Sequence, residues 1–374
     1  MSIPALLLSS CFEGRASVKT DSSLSEPKEE ISIDILNEKS TIFVGEQLSL
    51  DIEASDHKDH HYLYESMDDS IFTVDENGIL KGIKAGYSTL YVTIESTDIS
   101  TSMDFTVIDK REDNNQDEIV NPNPSKYTLS FHDEFDGNSL NEEYWSYQIG
   151  TGKEYGIDGW GNQEAQSYQK ENIMVKDGRL LITAKKESKD GRDYTSGRIR
   201  TYQKVAFTYG RIDARIRLPS YPGLWPAFWM LPNTNKYGSW PNSGEIDIME
   251  AKGRVPKETS SAVHMASLNN SHTYSTGKNS LDDSTSISEY HVYSFVWEKN
   301  DMRFLCDEIE YYRLRKNALR NYMGEDGQPF DTDFYLLLNL AVGGHFDNYL
   351  LPEDKTLPAS MEVDYVRWWT LKQS

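Results

Sequence analysis

The segment SGEIDIMEAKG, residues 243–253, places Glu245, Asp247 and Glu250 within six residues of one another. On a helix, at roughly 100° per residue, the two glutamates would point about 140° apart and could not act on one bond. In a regular strand Glu245 and Asp247 share a face, but Glu250 lies on the other. A β-bulge between Asp247 and Glu250 supplies the one extra residue that returns all three side chains to one face. The spacing therefore predicts a bulged strand.

Three carboxyl groups on one face favour glycoside hydrolysis. A retaining hydrolase needs two carboxyl groups about 5 to 5.5 Å apart, one as the nucleophile and one as the acid/base. Side chains whose Cα atoms are roughly 13 Å apart can close much of that gap on a curved sheet. The crowding also raises at least one pKa, which provides a general acid at neutral pH. Two alternatives are a hard-cation site with oxygen ligands and an ordinary half-buried strand with solvated charges.

Aromatic residues are dense immediately before the acidic segment, in residues 209–244. Trp225 and Trp229 are four positions apart and share one face of a strand, and Trp240 lies just before the acids. Aromatic rings offer apolar area that stacks on the C–H faces of sugar rings. Each tryptophan alone is more often a core residue, but together with the acids the three indicate a cleft for a polysaccharide.

Several sequence blocks occur in a fixed order, and together they resemble glycoside hydrolase family sixteen in its laminarinase-like branch. The resemblance implies a β-jelly-roll of two curved antiparallel sheets with a concave cleft, and retaining hydrolysis of internal β-1,3-glucan bonds. The bulged, six-residue form of the acidic motif is typical of the laminarinases of this family. The blocks are WGNQEAQSY (160–168), TSGRIRT (195–201), YGRIDARIRLP (209–219), GLWPAFWML (223–231), GEIDIME (244–250), FYLLLNLAVGG (334–344) and VDYVRWW (363–369).

The resemblance also implies roles for individual residues. Glu245 corresponds to the nucleophile, Glu250 to the acid/base, and Asp247 to the residue that tunes the nucleophile. His264 is equally explained as a strand histidine satisfied by its neighbours. The substrate path is expected to be lined by Asn162, Glu164, Arg198 and Trp240 on the glycone side, and by Trp225, Trp229 and His264 near the cleavage point or beyond it. QSYQ (166–169) and HFDNYL (345–350) depart from the family pattern near this path, which bears on glucan preference.

Many members of the family bind a structural calcium away from the catalytic face. The matching ligands are Glu134, the carbonyl group of Gly178 and Asp364, and oxygen ligands suit this cation. Acids in turns are more often merely solvated. No cofactor is expected for catalysis.

Charge and cysteine content limit the partners and the redox chemistry. The formal net charge of -22 disfavours nucleic acid, anionic membrane surfaces and strongly anionic polysaccharides, and it fits a neutral β-glucan best. The 2 cysteines do not form a disulfide framework. Cys306 is expected to be a buried apolar residue. We expect a monomer.

The first 29 residues resemble the remnant of a bacterial lipoprotein signal peptide followed by a disordered tether. The short apolar run in MSIPALLLSSC cannot span a bilayer, and it ends at Cys11, the expected site of lipidation. The residues after Cys11 have too little apolar content to fold. The expected location is the cell envelope, at the outer-membrane surface, with this lipid as the only membrane contact; secretion is the alternative.

The rest of the chain divides into three parts. Residues 30–108 contain alternating apolar runs broken by turns, and their final part resembles the bacterial immunoglobulin-like domain. Residues 109–126 form a polar linker, and residues 127–374 form the catalytic domain. The expected fold class is therefore all-β, a β-jelly-roll sandwich of two curved antiparallel sheets with a small N-terminal immunoglobulin-like β-sandwich.

Two functional hypotheses remain. The first is a retaining endo-β-1,3-glucanase that cuts laminarin-type glucans and mixed-linkage β-1,3(4)-glucan as a further substrate. The second is a non-catalytic surface protein that binds glucan. Binding alone does not require a costly cluster of acids, so the first is favoured.

Overall fold

The computed structural model describes residues 31–37, 41–84, 86–108, 119–267, 269–299, 301–315 and 328–372. Cys11 and the rest of the N-terminal tether lie outside these ranges. The described chain is all-β, as predicted, and its helices are single 3-10 turns. None of these described helices is long and apolar enough to cross a membrane. The 3-10 turns are Lys153–Tyr155, Asp158–Gly161, Lys170–Asn172, His345–Asp347 and Asp354–Thr356.

Short strands fill the described part of residues 31–108. They pair as β1-β4, as β2-β9-β8-β5 and as β3-β7-β6, and enclose a hydrophobic cluster of their own. The assignment of residues 30–108 to an immunoglobulin-like domain stays a prediction. The strands are β1 Ile33–Ile35, β2 Thr41–Phe43, β3 Gln47–Ser49, β4 Ile52–Ala54, β5 Tyr62–Ser66, β6 Phe72–Val74, β7 Ile79–Gly82, β8 Gly86–Ile94 and β9 Ser100–Ile108.

The strands from residue 127 onward build the larger part of the molecule. They are β10 Tyr127–Asp133, β11 Ser146–Tyr147, β12 Gln166–Tyr168, β13 Ile173–Lys176, β14 Arg179–Lys189, β15 Arg192–Ser196, β16 Arg198–Arg200, β17 Ala206–Phe207, β18 Gly210–Arg217, β19 Leu224–Pro232, β20 Glu245–Glu250, β21 Glu258–Ala266, β22 His272–Ser280, β23 His291–Glu298, β24 Asp301–Cys306, β25 Ile309–Arg315, β26 Phe334–Val342 and β27 Ala359–Leu371.

Two sheets of these strands form the predicted jelly roll. One has the order β12-β15-β14-β27-β18-β23-β24-β25, with β10 also paired to β27 and β13 to β14. The other has the order β11-β16-β26-β19-β20-β21-β22, with β17 also paired to β26. Among the described strands of these two sheets, the pairings are antiparallel except for β12 with β15. One buried cluster, which includes Cys306 as expected, fills the space between the sheets.

The alternation of side chains in β26 explains how one strand serves both the core and the cleft. Every residue of β26 is buried, and alternate residues, from Phe334 to Val342, belong to the core cluster. The intervening residues, which include Asn339, therefore face the other side of the sheet. β26 thus forms part of the floor on which the cleft side chains stand.

Candidate active site

The acidic strand β20 contains the predicted bulge. Its partner β19 pairs Trp229 with Asp247 and Phe228 with Met249, so Ile248 is an extra residue between two consecutive partners. The pairing with β21 shifts over the same interval. Ile248 and Met249 both lie in the core cluster, which regular alternation would not allow. The bulge therefore turns Glu250 to the same face as Asp247.

Gly244 fixes the start of this strand. Its φ is +83°, a conformation that side chains disfavour. A Cβ atom at this position would also lie 2.6 Å from Cε1 of Phe330. Only glycine suits this entry into the acidic strand.

The three carboxyl groups interact electrostatically. Burial raises the pKa of Glu245 to about 8, and the charge of Asp247 adds to this rise. Burial raises the pKa of Asp247 to about 7, and burial followed by the charge of Asp247 raises the pKa of Glu250 well above its usual range. Asp247 is buried, while both glutamates are half-buried where they face the cleft. The group thus retains protons at neutral pH.

Each glutamate accepts a hydrogen bond from a tryptophan. The indole Nε1 of Trp240 donates to Oε2 of Glu245 at 2.7 Å, and that of Trp225 donates to Oε1 of Glu250 at 2.9 Å. Both bonds lower the pKa of the accepting carboxyl and so oppose the effect of burial. Trp225 and Trp240 are therefore in direct contact with the acids, which their sequence spacing did not indicate.

His264 lies beside the acids. It stands opposite Glu245 in the ladder between β20 and β21, and its Nε2 is 3.2 Å from Oδ2 of Asp247. Its other ring nitrogen, Nδ1, is 2.9 Å from Nε2 of His272 on β22. In its charged form His264 lowers the pKa of Glu245. His264 thus lies within contact distance of the acidic group, and its expected sugar contact stays a prediction.

A polar chain runs from Trp229 into the protein. Its indole Nε1 donates to Oδ1 of Asn339 at 2.7 Å, and Nδ2 of Asn339 lies 3.1 Å from the hydroxyl of Tyr168. That hydroxyl donates to Glu164 at 2.9 Å, and Nδ2 of Asn162 donates to the same carboxylate at 3.1 Å. Glu164 is thus buried, and its carboxylate accepts hydrogen bonds from several protein donors.

Arg198 is enclosed by aromatic rings. Its guanidinium lies 4.5 Å from the ring centre of Trp160 and 4.8 Å from that of Trp229. Its Nε donates to Oε1 of Gln148 at 2.7 Å, and the side chain is buried. The charge of Arg198 lowers the pKa of Glu164, but burial outweighs it and the net shift is upward. The predicted sugar contacts of Arg198 and Glu164 stay predictions.

The sequence profile described as Glycosyl hydrolases family 16 matches residues 161–366, more than half of the 374 residues. The chain belongs to this family. It is 39% identical over 253 residues to a protein named glucan endo-1,3-beta-glucosidase A1 from Niallia circulans, a match that covers 64% of this chain but only 37% of that protein. It is 40% identical over 249 residues to the beta-glucanase of Rhodothermus marinus, covering 64% of this chain and 84% of that one. The X-ray structure of the laminarinase from Rhodothermus marinus superimposes with a TM-score of 0.59 at 38% identity, covering 66% and 98% of the two chains.

Three residues of this family 16 site escaped the sequence analysis as individuals: Tyr168, Asn339 and His272. Asn339 was detectable, because it is the one amide in the apolar run FYLLLNLAV. Tyr168 lies in the QSYQ departure, whose effect on the cleft could not be read from letters alone. His272 gave no sequence signal, since its position depends on the pairing of β21 with β22.

The residues expected to bind calcium are brought toward the middle of β27. Asp133 is opposite Val366 and Leu180 is opposite Val363, so Glu134, which follows Asp133, and Gly178, two residues before Leu180, approach the same stretch as Asp364. Both carboxylate oxygens of Glu134 accept from Arg367, at 2.9 and 2.8 Å. Oδ2 of Asp364 accepts from Arg215 at 2.7 Å. These ion pairs supply the positive charge that a calcium ion would supply, so the donor set fits calcium poorly.

Proposed function

We propose that this chain is a retaining endo-β-1,3-glucanase that acts on laminarin-type glucans. The observation that carries the proposal is the placement of Glu245 and Glu250 on one face of a bulged strand, with Asp247 between them. The names of the similar proteins support the glucan substrate and the β-1,3 linkage. Carboxyl groups perform both halves of this chemistry, so catalysis needs no cofactor.

In the first step, Glu250 acts as the general acid. Its raised pKa keeps it protonated at neutral pH, and it transfers this proton to the glycosidic oxygen as the bond to the anomeric carbon breaks. Glu245, as a carboxylate, attacks the anomeric carbon from the opposite side and forms a glycosyl ester. The pKa of Glu245, about 8, lies above that of Asp247, about 7, so a proton shared by the pair has to pass from Glu245 to Asp247 before the attack.

In the second step, Glu250 acts as the general base. It now lacks its proton and removes one from a water molecule, which attacks the anomeric carbon of the ester. The carbon–oxygen bond to Glu245 breaks and Glu245 leaves as a carboxylate. The two inversions at the anomeric carbon sum to retention, and Glu250 ends the cycle protonated.

The test is laminarin digestion followed by proton NMR of the products. We expect new reducing ends that appear first as the β-anomer and then mutarotate. Glu245→Gln should abolish product formation while oligosaccharide binding, measured by calorimetry, persists. Initial release of the α-anomer would contradict retention, and undiminished activity of Glu245→Gln would contradict the assigned nucleophile. Binding by a folded wild-type protein without any product would favour the glucan-binding alternative.

Linkage preference is tested by comparing laminarin, curdlan and cereal β-glucan. We propose laminarin as the preferred substrate, because the relatives are named for β-1,3 cleavage. Predominant cleavage of the cereal glucan would instead assign a 1,3(4)-glucanase. The proposed roles of Asn162, Glu164, Arg198, Trp225, Trp229, Trp240 and His264 are sugar contacts along this path.

A structural calcium ion at Glu134, Gly178 and Asp364 stays a prediction of the family resemblance, and we propose that the arginine partners take its place. Its support is the approach of the three residues to one stretch of β27, and the arginine partners oppose it. We therefore expect a melting temperature that calcium and EDTA leave unchanged. A clear rise with calcium that Asp364→Asn removes would establish the ion.

The location and assembly of the protein are further proposals. We propose lipidation of Cys11 and attachment to the outer-membrane surface, an immunoglobulin-like spacer in residues 30–108, and a monomer. Labelling with a palmitate analogue, lost in Cys11→Ser, tests the anchor. Light scattering of the purified protein tests the monomer.

A further inference from the structure

His272 joins the two side chains that contact the Glu245 end of the acidic group. It begins β22 and is a diagonal neighbour of His264, which faces Tyr274 across the ladder. The rings of His264 and His272 are inclined by only 8°, with centres 5.1 Å apart and their nitrogens 2.9 Å apart. His264 in turn lies 3.2 Å from Asp247. His272 therefore reaches Asp247 through one intervening imidazole.

The same ring supports Trp240 from the other side. The centres of the Trp240 and His272 rings are 4.7 Å apart, and the indole of Trp240 donates to Glu245. Trp240 is in the loop between β19 and β20 and is 52% exposed, so it has few other constraints on its orientation. His272 thus contacts Trp240, which donates a hydrogen bond to Glu245, and also His264, which lies beside Asp247.

We propose that His272 is a positioning residue of the catalytic site, which orients His264 toward Asp247 by a hydrogen bond and Trp240 toward Glu245 by ring packing. The inference deepens the glucanase function proposed above and rests on it. His272 itself touches neither carboxylate among the contacts described.

The contact between the two imidazoles requires one ring to donate and the other to accept. With His264 as the donor, its Nδ1 donates to Nε2 of a neutral His272, and its Nε2 lies 3.2 Å from Oδ2 of Asp247. Partial burial, and then the charge of His264, lowers the pKa of His272, which agrees with His272 as the neutral acceptor. The titratable groups around His272 are His264 and Tyr274, with Asp247 and Glu245 beyond them, and Trp240 is uncharged. When it is charged, His264 lowers the pKa of both Glu245 and Glu250.

Two substitutions separate hydrogen bonding from packing. His272→Gln keeps an amide near the position of Nε2 but loses the ring, and His272→Phe keeps the ring but loses the nitrogen. We expect His272→Phe to lower kcat/KM for laminarin about tenfold and His272→Gln to lower it less. We also expect the acid limb of the pH profile of kcat/KM to move to higher pH in His272→Phe, since His264 loses the partner that holds it where its charge lowers the pKa of Glu245. Equal melting curves show that each variant is folded.

A second measurement does not depend on turnover. The nitrogen-15 shifts of the His264 ring report its protonation, and we expect them to change in His272→Phe and to remain close to wild type in His272→Gln. A fully active His272→Phe with unchanged His264 shifts would overturn the proposal, and a Phe variant that outperforms the Gln variant would reduce His272 to a packing residue. If the wild type degrades no glucan while the His264 shifts still depend on His272, the glucanase function fails and the hydrogen-bond relation stands.

Discussion

Glu245 and Glu250, at the two ends of the acidic strand β20, lie in different surroundings. At both ends a tryptophan indole donates to a glutamate, but Trp225 is 8% exposed and Trp240 is 52% exposed. Phe346 stacks on Trp225 with ring centres 4.8 Å apart, whereas an imidazole packs on Trp240. The Glu250 end is therefore the more enclosed, with Lys252 over the Phe346 ring and His345 beside Trp225, and the Glu245 end is the more open.

This difference matches the proposed division of labour. An acid/base must hold a proton at neutral pH, and an apolar enclosure favours the protonated form. A nucleophile must ionise before it attacks, and a nearby imidazolium and water favour the ionised form. Residues with identical side chains, Glu245 and Glu250, are thus distinguished by what surrounds them.

The largest effect should come from removing the acid itself. We expect Glu250→Gln to lower kcat on laminarin by about 10² to 10⁴, because proton transfer to the leaving oxygen is lost. With an aryl laminaribioside, whose phenolate leaves without protonation, the first step should recover in Glu250→Gln but not in Glu245→Gln. Stopped-flow release of the phenol checks this. Recovery in the Glu245 variant instead would exchange the two roles.

The two tryptophans should shift opposite limbs of the pH profile. Loss of an indole donor raises the pKa of its glutamate, so Trp225→Phe should move the alkaline limb of kcat/KM upward, and Trp240→Phe should move the acid limb upward. We expect the shift for Trp225→Phe to be the larger, on the order of one pH unit, since water cannot replace a buried donor. Shifts of equal size would remove the contrast between an enclosed and an open end.

The raised pKa values also predict that replacing either glutamate with glutamine stabilises the protein at high pH. A glutamate whose pKa is raised on folding stabilises the protein most below its ordinary value of about 4.5, and this stability is lost as the pH rises through the folded value. At pH 8 we therefore expect Glu250→Gln to increase the free energy of unfolding by about 1 to 2 kcal/mol, with little change at pH 4.5. Glu245→Gln should gain less, because His264 already offsets its charge. Urea titrations at pH 4.5 and pH 8 measure the free energy of unfolding. A gain of equal size at both pH values would contradict the raised pKa as its cause.

The smallest effect should come from the ring that backs Trp225. Phe346→Leu keeps apolar bulk but loses the stacking, and we expect kcat/KM to fall by roughly threefold with both pH limbs unchanged. Kinetics on laminarin across pH check this. The contrast with His272→Phe is direct, since only the latter should move a limb.

Much of the fold could be predicted because it depends on local alternation. The spacing of Glu245, Asp247 and Glu250 has one solution in a strand, so the bulge followed from the letters alone. The jelly roll followed from the family resemblance. The parallel pairing of β12 with β15 did not, since pairing direction is set by how distant segments meet.

The family resemblance named residues for the site but did not give their contacts. Trp225, Trp240 and His264 lie at the acids through contacts that depend on loops and on strand register. The carboxylate of Glu164 is hydrogen-bonded within the protein, which the sequence could not show because burial is a property of the whole fold, and its sugar contact stays a prediction. The ion pairs of Arg367 with Glu134 and of Arg215 with Asp364 could not be predicted either, because the two partners of each pair are distant along the chain.

The two consecutive core residues of the bulge, Ile248 and Met249, have a consequence for redesign. Deleting Ile248 would give the string EIDME, in which ordinary alternation alone sends all three acids to the same side. Ile248 is thus not needed to direct the acids to one face. Its contribution is a second apolar side chain in the core beneath the acids. A one-residue deletion is therefore a route to change the distance between the reacting groups by one strand step while leaving their direction intact.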